Sequence, residues 1–275
     1  MTETLTQVYD EVVVPVDFTS LGWQVLPTAE QLAERFGTRL RLLHVDTASP
    51  WSDEDSELLQ LYATPLGRSV RVRVVPDRDV ALGLGRAIAG RRALVAMSAH
   101  ARPGAADIFV DSSLERILRV VDVPVVVCGP HAHRGEVPLS KIVLCVDADP
   151  PPVELLQDVS AWARQLSVPV EVLTVVPTGR EERLHEMRAQ ELRLGEIADG
   201  LTRDGVSASV IVIRGTRPAH EIVGYAGTDP GAVVALGTHA RTAAARAIVG
   251  SVGMAVIRQS AAPVLLRRRD GHLQP

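Results

Sequence analysis

Aromatic side chains are scarce in this chain, at 3 % of its 275 residues, and it has only two cysteines. With so few rings, Val, Ala and Leu must fill the core, a composition suited to parallel strands buried on both faces. Two cysteines cannot make a disulfide framework, and Cys145 sits in the apolar run Ile142-Val143-Leu144-Cys145-Val146, where a buried, inert thiol is expected. No basic block is present among the 29 basic and 33 acidic side chains, and Arg267-Arg268-Arg269 is too short to argue for nucleic acid. No apolar run reaches membrane-spanning length, and the first residues lack the basic and apolar regions of a signal peptide. The expectation is a soluble cytoplasmic protein with neither a nucleic-acid nor a membrane partner.

What the chain does have is an internal repeat. Asp17, after Val12-Val13-Val14-Pro15-Val16, matches Asp147, after Ile142-Val143-Leu144-Cys145-Val146, and Val45 matches Val175, both 130 residues apart. From the fourth strand onward the spacing is 139, pairing His100 with His239, Ser112 with Ser251 and Pro124 with Pro263. The nine extra residues are expected in the charged segment Gly179 to Gly200. Pro76 is expected where Gly215 stands in the other half. The Gly-, Pro- and His-rich stretch from Gly129 to Pro138 reads as a linker. This sets a first domain at 1–129, a linker at 130–138 and a second domain at 139–275.

Each half reads as five strands alternating with helices, hence βαβ units and a parallel sheet. Strands are expected near 11–16, 39–45, 70–75, 93–97 and 123–127, then near 141–146, 169–176, 207–213, 232–236 and 263–267. A helix is expected near 20–36, with Ser20 as its cap and Gly37 as its stop.

Open parallel sheets bind ligands outside the carboxyl ends of their strands. In the second half, Leu236-Gly237-Thr238-His239-Ala240-Arg241 is followed, nine residues after Ala240, by Gly250-Ser251-Val252. Gly237 allows a tight turn, Ala240 keeps the loop low, and Gly250 with Ser251 opens a helix whose free N–H groups and dipole favour phosphate oxygens. Capping and turn chemistry account for either feature alone; their fixed spacing within a βαβ unit points to a site. In the first half, Ser98 and Ala101 take the two Gly positions and Asp111 the third. A carboxylate there repels an anion yet makes a good N-cap, so this cradle reads as structural. Pro15, Asp17, Val45, Ser98 and Ser112 remain as a candidate first-domain site for contact with a base, ribose or other ligand.

These motifs resemble the tandem-domain form of the universal stress protein family, over nearly the whole chain. The family pattern of Gly, two residues, Gly, nine residues, Gly and Ser or Thr is similar to Gly237-x2-Ala240-x9-Gly250-Ser251. Leu43-His44-Val45 and the Pro-Val pairs at 124–125 and 263–264 add to the resemblance. It implies two Rossmann-like (adenine nucleotide alpha hydrolase-like) domains, each a five-stranded parallel sheet of order 3-2-1-4-5, packed as an internal pseudo-dimer. It further implies a stress-response protein that binds ATP, with or without Mg2+, without catalysis and mainly in the second domain. Asp147 and Val175 would bound the base and ribose, and Gly237, Thr238, His239, Ala240, Arg241, Gly250, Ser251 and Val252 would hold the phosphates. A homodimer and an unidentified protein partner are also implied. Ala240 and Asp147-Ala148-Asp149-Pro150 depart from the family pattern.

Three other readings were open. A slow ATPase would need a P-loop Lys or a positioned base, and only His100 and His239 lie close to the loops. A zinc site from Cys128, His131 and His133 fits no established spacing. The charged segment carrying Leu184, Met187, Leu192 and Leu194 reads as an exposed amphipathic helix or a partner-binding face, as in a ligand-free interaction module.

Overall fold

The computed structural model describes residues 8–18, 22–48, 54–66, 70–99, 112–133, 135, 137–147, 149–177, 183–238 and 249–268. It divides into two compact units, the first running to Pro130 and the second from Val137 onward.

In the first unit the strands are β1 (Glu11–Pro15), β2 (Arg39–Asp46), β3 (Val70–Pro76), β4 (Ala93–Ser98) and β5 (Val125–Cys128). They form a parallel sheet in the order β3-β2-β1-β4-β5. Val12, Val13 and Val14 are wholly buried, as are Val125, Val126 and Val127; β-branched residues suit the pleat, and burial on both faces explains runs without polar alternation. The helices are α1 (Leu26–Arg35), α2 (Glu54–Ala63), α3 (Val80–Ile88) and α4 (Ser112–Val120).

Helix α1 starts later than its periodicity suggests. Pro27 occupies its first turn, where a missing N–H costs nothing, and a 3-10 turn at Gly22–Val25 precedes it. Ser20 lies outside the described residues. Gly37 ends the helix at φ +61°, its N–H bonding to Glu34 O while Thr38 N–H bonds to Ala33 O, a Schellman closure.

The second unit repeats the plan with β6 (Lys141–Cys145), β7 (Val170–Val176), β8 (Ala208–Arg214), β9 (Ala232–Thr238) and β10 (Val264–Arg268). Its parallel order is β8-β7-β6-β9-β10, again 3-2-1-4-5 within the unit. Its helices are α5 (Val153–Leu166), α6 (Arg183–Arg203), α7 (Pro218–Ala226) and α8 (Ser251–Gln259). Trp162 on α5 is wholly buried at the centre of this unit's core. Among the described residues no helix is long and apolar enough to cross a membrane.

Strand register corrects two alignments. Leu40 stands beside Val70 and Val170 beside Ala208, so eight of the nine extra residues precede the third strand of the repeat, where α6 is longer than α2. The ninth lies in the turn before the fourth strand, Gly227–Gly231 against Ala89–Arg92. Consequently the counterpart of Gly215 is Asp77 rather than Pro76. Both amides donate to the carbonyl that ends the second strand: Asp77 N–H to Asp46 O, and Gly215 N–H to Val176 O, each at 3.0 Å.

The two positions pack reciprocally. A methyl on Gly83 of α3 would lie 2.7 Å from Val45 Cγ1 and 2.9 Å from Asp77 Cβ. In the second unit the glycine is on the loop instead, and a methyl on Gly215 would lie 2.6 Å from Glu221 Oε1 of α7.

Candidate functional site

A cavity of about 530 Å³ opens at the carboxyl ends of the second unit's strands. One wall is the end of β6 with its following loop, contributing Cys145, Val146, Asp147, Asp149 and Pro151. Leu173 and Val175 of β7 and Leu236 and Gly237 of β9 form the floor, with Leu266 of β10 behind them. Pro218 and Ile222 bring α7 to a second side, and residues 249–253 bring the start of α8 to the third. Most of this surface is aliphatic, suited to a flat apolar group, and the polar groups sit at its edge.

Six of the expected site residues, Asp147, Val175, Gly237, Gly250, Ser251 and Val252, line this one cavity. They come from four segments separated by up to about a hundred residues. Thr238 does not join them: it is buried, and its hydroxyl donates to Arg267 O at 3.3 Å. His239, Ala240 and Arg241 lie outside the described residues. Sequence reasoning missed Pro218 and Ile222, although the turn Arg214-Gly215-Thr216 just before α7 signalled that a further element approaches there.

Local chemistry explains the placement. Asp147 Oδ1 accepts the N–H of Asp149 at 2.9 Å, an Asx turn that fixes the carboxylate beyond β6. Gly237 has a different role from the turn expected of it. It is a strand residue, and a methyl there would lie 2.6 Å from Pro152 Cδ, so its bareness admits the proline that starts α5. Gly250 is the opposite case. It is the N-cap of α8 at φ −63°, ψ 165°, and a methyl on it would meet no described residue within 4 Å. Among the described residues no side chain caps α8, whose start lies at the cavity.

The first unit carries different groups at the matching positions. Val45 is buried against α3 beside Gly83, Asp17 is exposed, and Pro15 ends β1 half-buried. Phe18 follows at φ +59°, its ring 4.5 Å from His44, whose Nδ1 donates to Val16 O at 2.8 Å. Ser98 is buried and its hydroxyl has no hydrogen-bond partner among the described residues, and Ser112 opens α4; Ala101 and Asp111 lie outside the described residues. Asp79 caps α3 by accepting from Ala81 and Leu82 N–H, and it pairs with Arg116 of α4. The Leu82 amide bond, with the Arg116 guanidinium, holds the Asp79 carboxyl below its usual range. This pair ties α3 to α4, whose counterparts α7 and α8 flank the cavity in the second unit. There the matching residues are Arg217 and Ala255, which cannot form such a tie.

Neither cysteine is poised to react or to ligate a metal. Burial pushes the Cys145 thiol up to about 12, and the Cys128 thiol up to about 11 despite its hydrogen bond to Thr28. Among the described residues no three His, Cys, Asp or Glu side chains gather as a metal site. Burial and the neighbouring Glu171 likewise raise the Tyr225 hydroxyl to about 12. All three groups are raised in the folded protein, so their contribution to stability is complete below their unfolded values near 9 to 10. It is lost as pH rises towards 11 to 12. Denaturant midpoints measured between pH 8 and pH 11.5 are expected to fall steadily above pH 9. A thiol-specific reagent at pH 8 should label the buried Cys128 only after unfolding.

The comparisons with known proteins fit this geometry. Residues 138–268 match the model of the universal stress protein family. The second unit thus resembles a universal stress protein domain. A solved universal stress protein from Archaeoglobus fulgidus shares the fold of both units, with a TM-score of 0.70 and 17 % identity over 95 % of this chain and 99 % of that one. A solved putative universal stress protein from Pseudomonas aeruginosa gives a TM-score of 0.62 and 18 % identity over 96 % and 95 %. The universal stress protein from Archaeoglobus fulgidus solved in complex with dAMP is 25 % identical over 48 % of this chain and 99 % of that one, with a TM-score of 0.38. No curated protein matches. In the second unit the cavity lies at the strand ends where open α/β sheets take their ligands.

Proposed function

We propose that the second unit binds an adenine nucleotide, ATP by preference, and that it serves a stress response in the cytoplasm as a regulator without turnover. One observation carries this reading: Asp147, Val175, Gly250 and Ser251 converge on a single, mostly aliphatic cavity. The aliphatic floor suits the base, and Asp147 suits ribose hydroxyls as an acceptor. The start of α8, with Gly250 and Ser251, suits phosphate oxygens, and the sequence pattern assigns His239, Ala240 and Arg241 to the same role. Gly250 supports the assignment because, among the described residues, nothing packs against it. The first unit, with Pro15, Asp17, Val45, Ser98 and Ser112, has a structural role, since the Asp79–Arg116 pair ties its two flanking helices. The protein works as a homodimer and passes its nucleotide state to a protein partner.

Equilibrium dialysis with labelled ATP, with and without Mg2+, tests the reading. One site per chain and phosphate release no faster than background are expected. An absence of saturable binding would overturn it.

A further inference from the structure

Each unit begins with a cross-strand ion pair, and the two pairs have opposite sense. In the first, Glu11 at the start of β1 meets Arg41 of β2 at 2.6 Å; in the second, Lys141 at the start of β6 meets Glu171 of β7 at 2.9 Å. Register makes the positions equivalent. Glu11 stands beside Arg39, two residues before Arg41, and Ile142 stands beside Val170, one residue before Glu171. All four side chains are substantially buried, and Glu11 is only 1 % exposed. Each pair also has a helper in its own unit. Arg91 lies 3.8 Å from Glu11. In the second unit the Tyr225 hydroxyl donates to Glu171 at 3.0 Å and the Lys141 ammonium sits 4.7 Å from the Tyr225 ring centre.

The rest of these strands is nearly interchangeable. Val12-Val13-Val14 and Ile142-Val143-Leu144 both enter the middle of a parallel sheet, and both are buried between aliphatic neighbours. Apolar burial therefore rewards a wrong combination almost as well as the right one, a known hazard of repeated domains.

We infer that the reversed ion pairs decide which first strand joins which second strand while this tandem chain folds. Pairing β1 with β7 sets Glu11 against Glu171, and pairing β6 with β2 sets Lys141 against Arg41. Two like charges at a site that excludes water are far more costly than a correctly matched pair. The discrimination rests on opposite sense between the units, not on which unit holds which sense.

The test refolds the full chain from denaturant and measures the fraction that regains native size and circular dichroism. Reversing one pair, Lys141→Glu with Glu171→Arg, keeps each unit internally matched but makes the two units alike; recovery should fall at least twofold. Adding Glu11→Lys with Arg41→Glu restores opposite sense, and recovery should return towards the wild-type level. Local damage predicts the reverse, since four substitutions would harm more than two. The inference fails if the first double variant refolds as well as wild type, or if the fourfold variant refolds no better than the double.

Discussion

A Gly250→Asp variant should bind labelled ATP at least about fivefold more weakly than wild type while losing no stability. The substitution separates charge from shape. A Cβ at Gly250 meets no described residue within 4 Å, so the carboxylate is accommodated without displacing any of them. As an N-cap it accepts from the first turn of α8, and Asp in that position is at least as good as Gly. Against a phosphate at about 4 Å, however, it opposes binding by roughly 1 to 4 kcal/mol, depending on local screening, and each 1.4 kcal/mol or so is tenfold. The two readouts must therefore part company. Unchanged affinity would mean that no phosphate approaches the start of α8.

Trp162→Ala should be the most damaging single change in the second unit's core. Trp162 is wholly buried on α5, which packs on β6, β9 and β10. Deleting so large a side chain removes its transfer energy and leaves a cavity, a loss of about 3 to 5 kcal/mol. Loss on that scale consumes a large share of ordinary domain stability. Urea titration followed by circular dichroism should show a clearly lower midpoint, and a loss below about 1 kcal/mol would mean that the core closes over the gap. The damage also reaches the cavity, because α5 holds Pro152 against Gly237.

The strands were the most legible part of the chain, because a buried parallel strand advertises itself as a short aliphatic run. Val12-Val13-Val14 and Val125-Val126-Val127 lie where they were expected. The repeat spacing was legible too, but spacing alone cannot say where an insertion falls. Matching Pro76 to Gly215 missed the change of one residue in the turn before β9, which only strand register reveals. That Asp147 and Val175 stand at strand ends and that Gly250-Ser251 opens a helix could be read because each belongs to a local motif. The reason for Gly237 could not, since it is a proline 85 positions earlier in the chain. Nor could the α7 wall of Pro218 and Ile222, or the tie between Asp79 and Arg116, which join segments with no shared local pattern.

The reciprocal packing of Asp77 with Gly83, and of Gly215 with Glu221, bears on how these halves can change over generations. Giving the first half a Glu at position 83 while Asp77 remains crowds two carboxyl side chains into room for one. Giving it Gly at position 77 first leaves a hole beside Val45 and takes away the partner of Arg86. Either single step passes through a less stable chain, whereas the pair exchanged together does not. Recombination that copies one half onto the other must therefore carry both positions in one tract. Consensus averaging of the two halves, done column by column, would build a repeat that neither half's interior accepts.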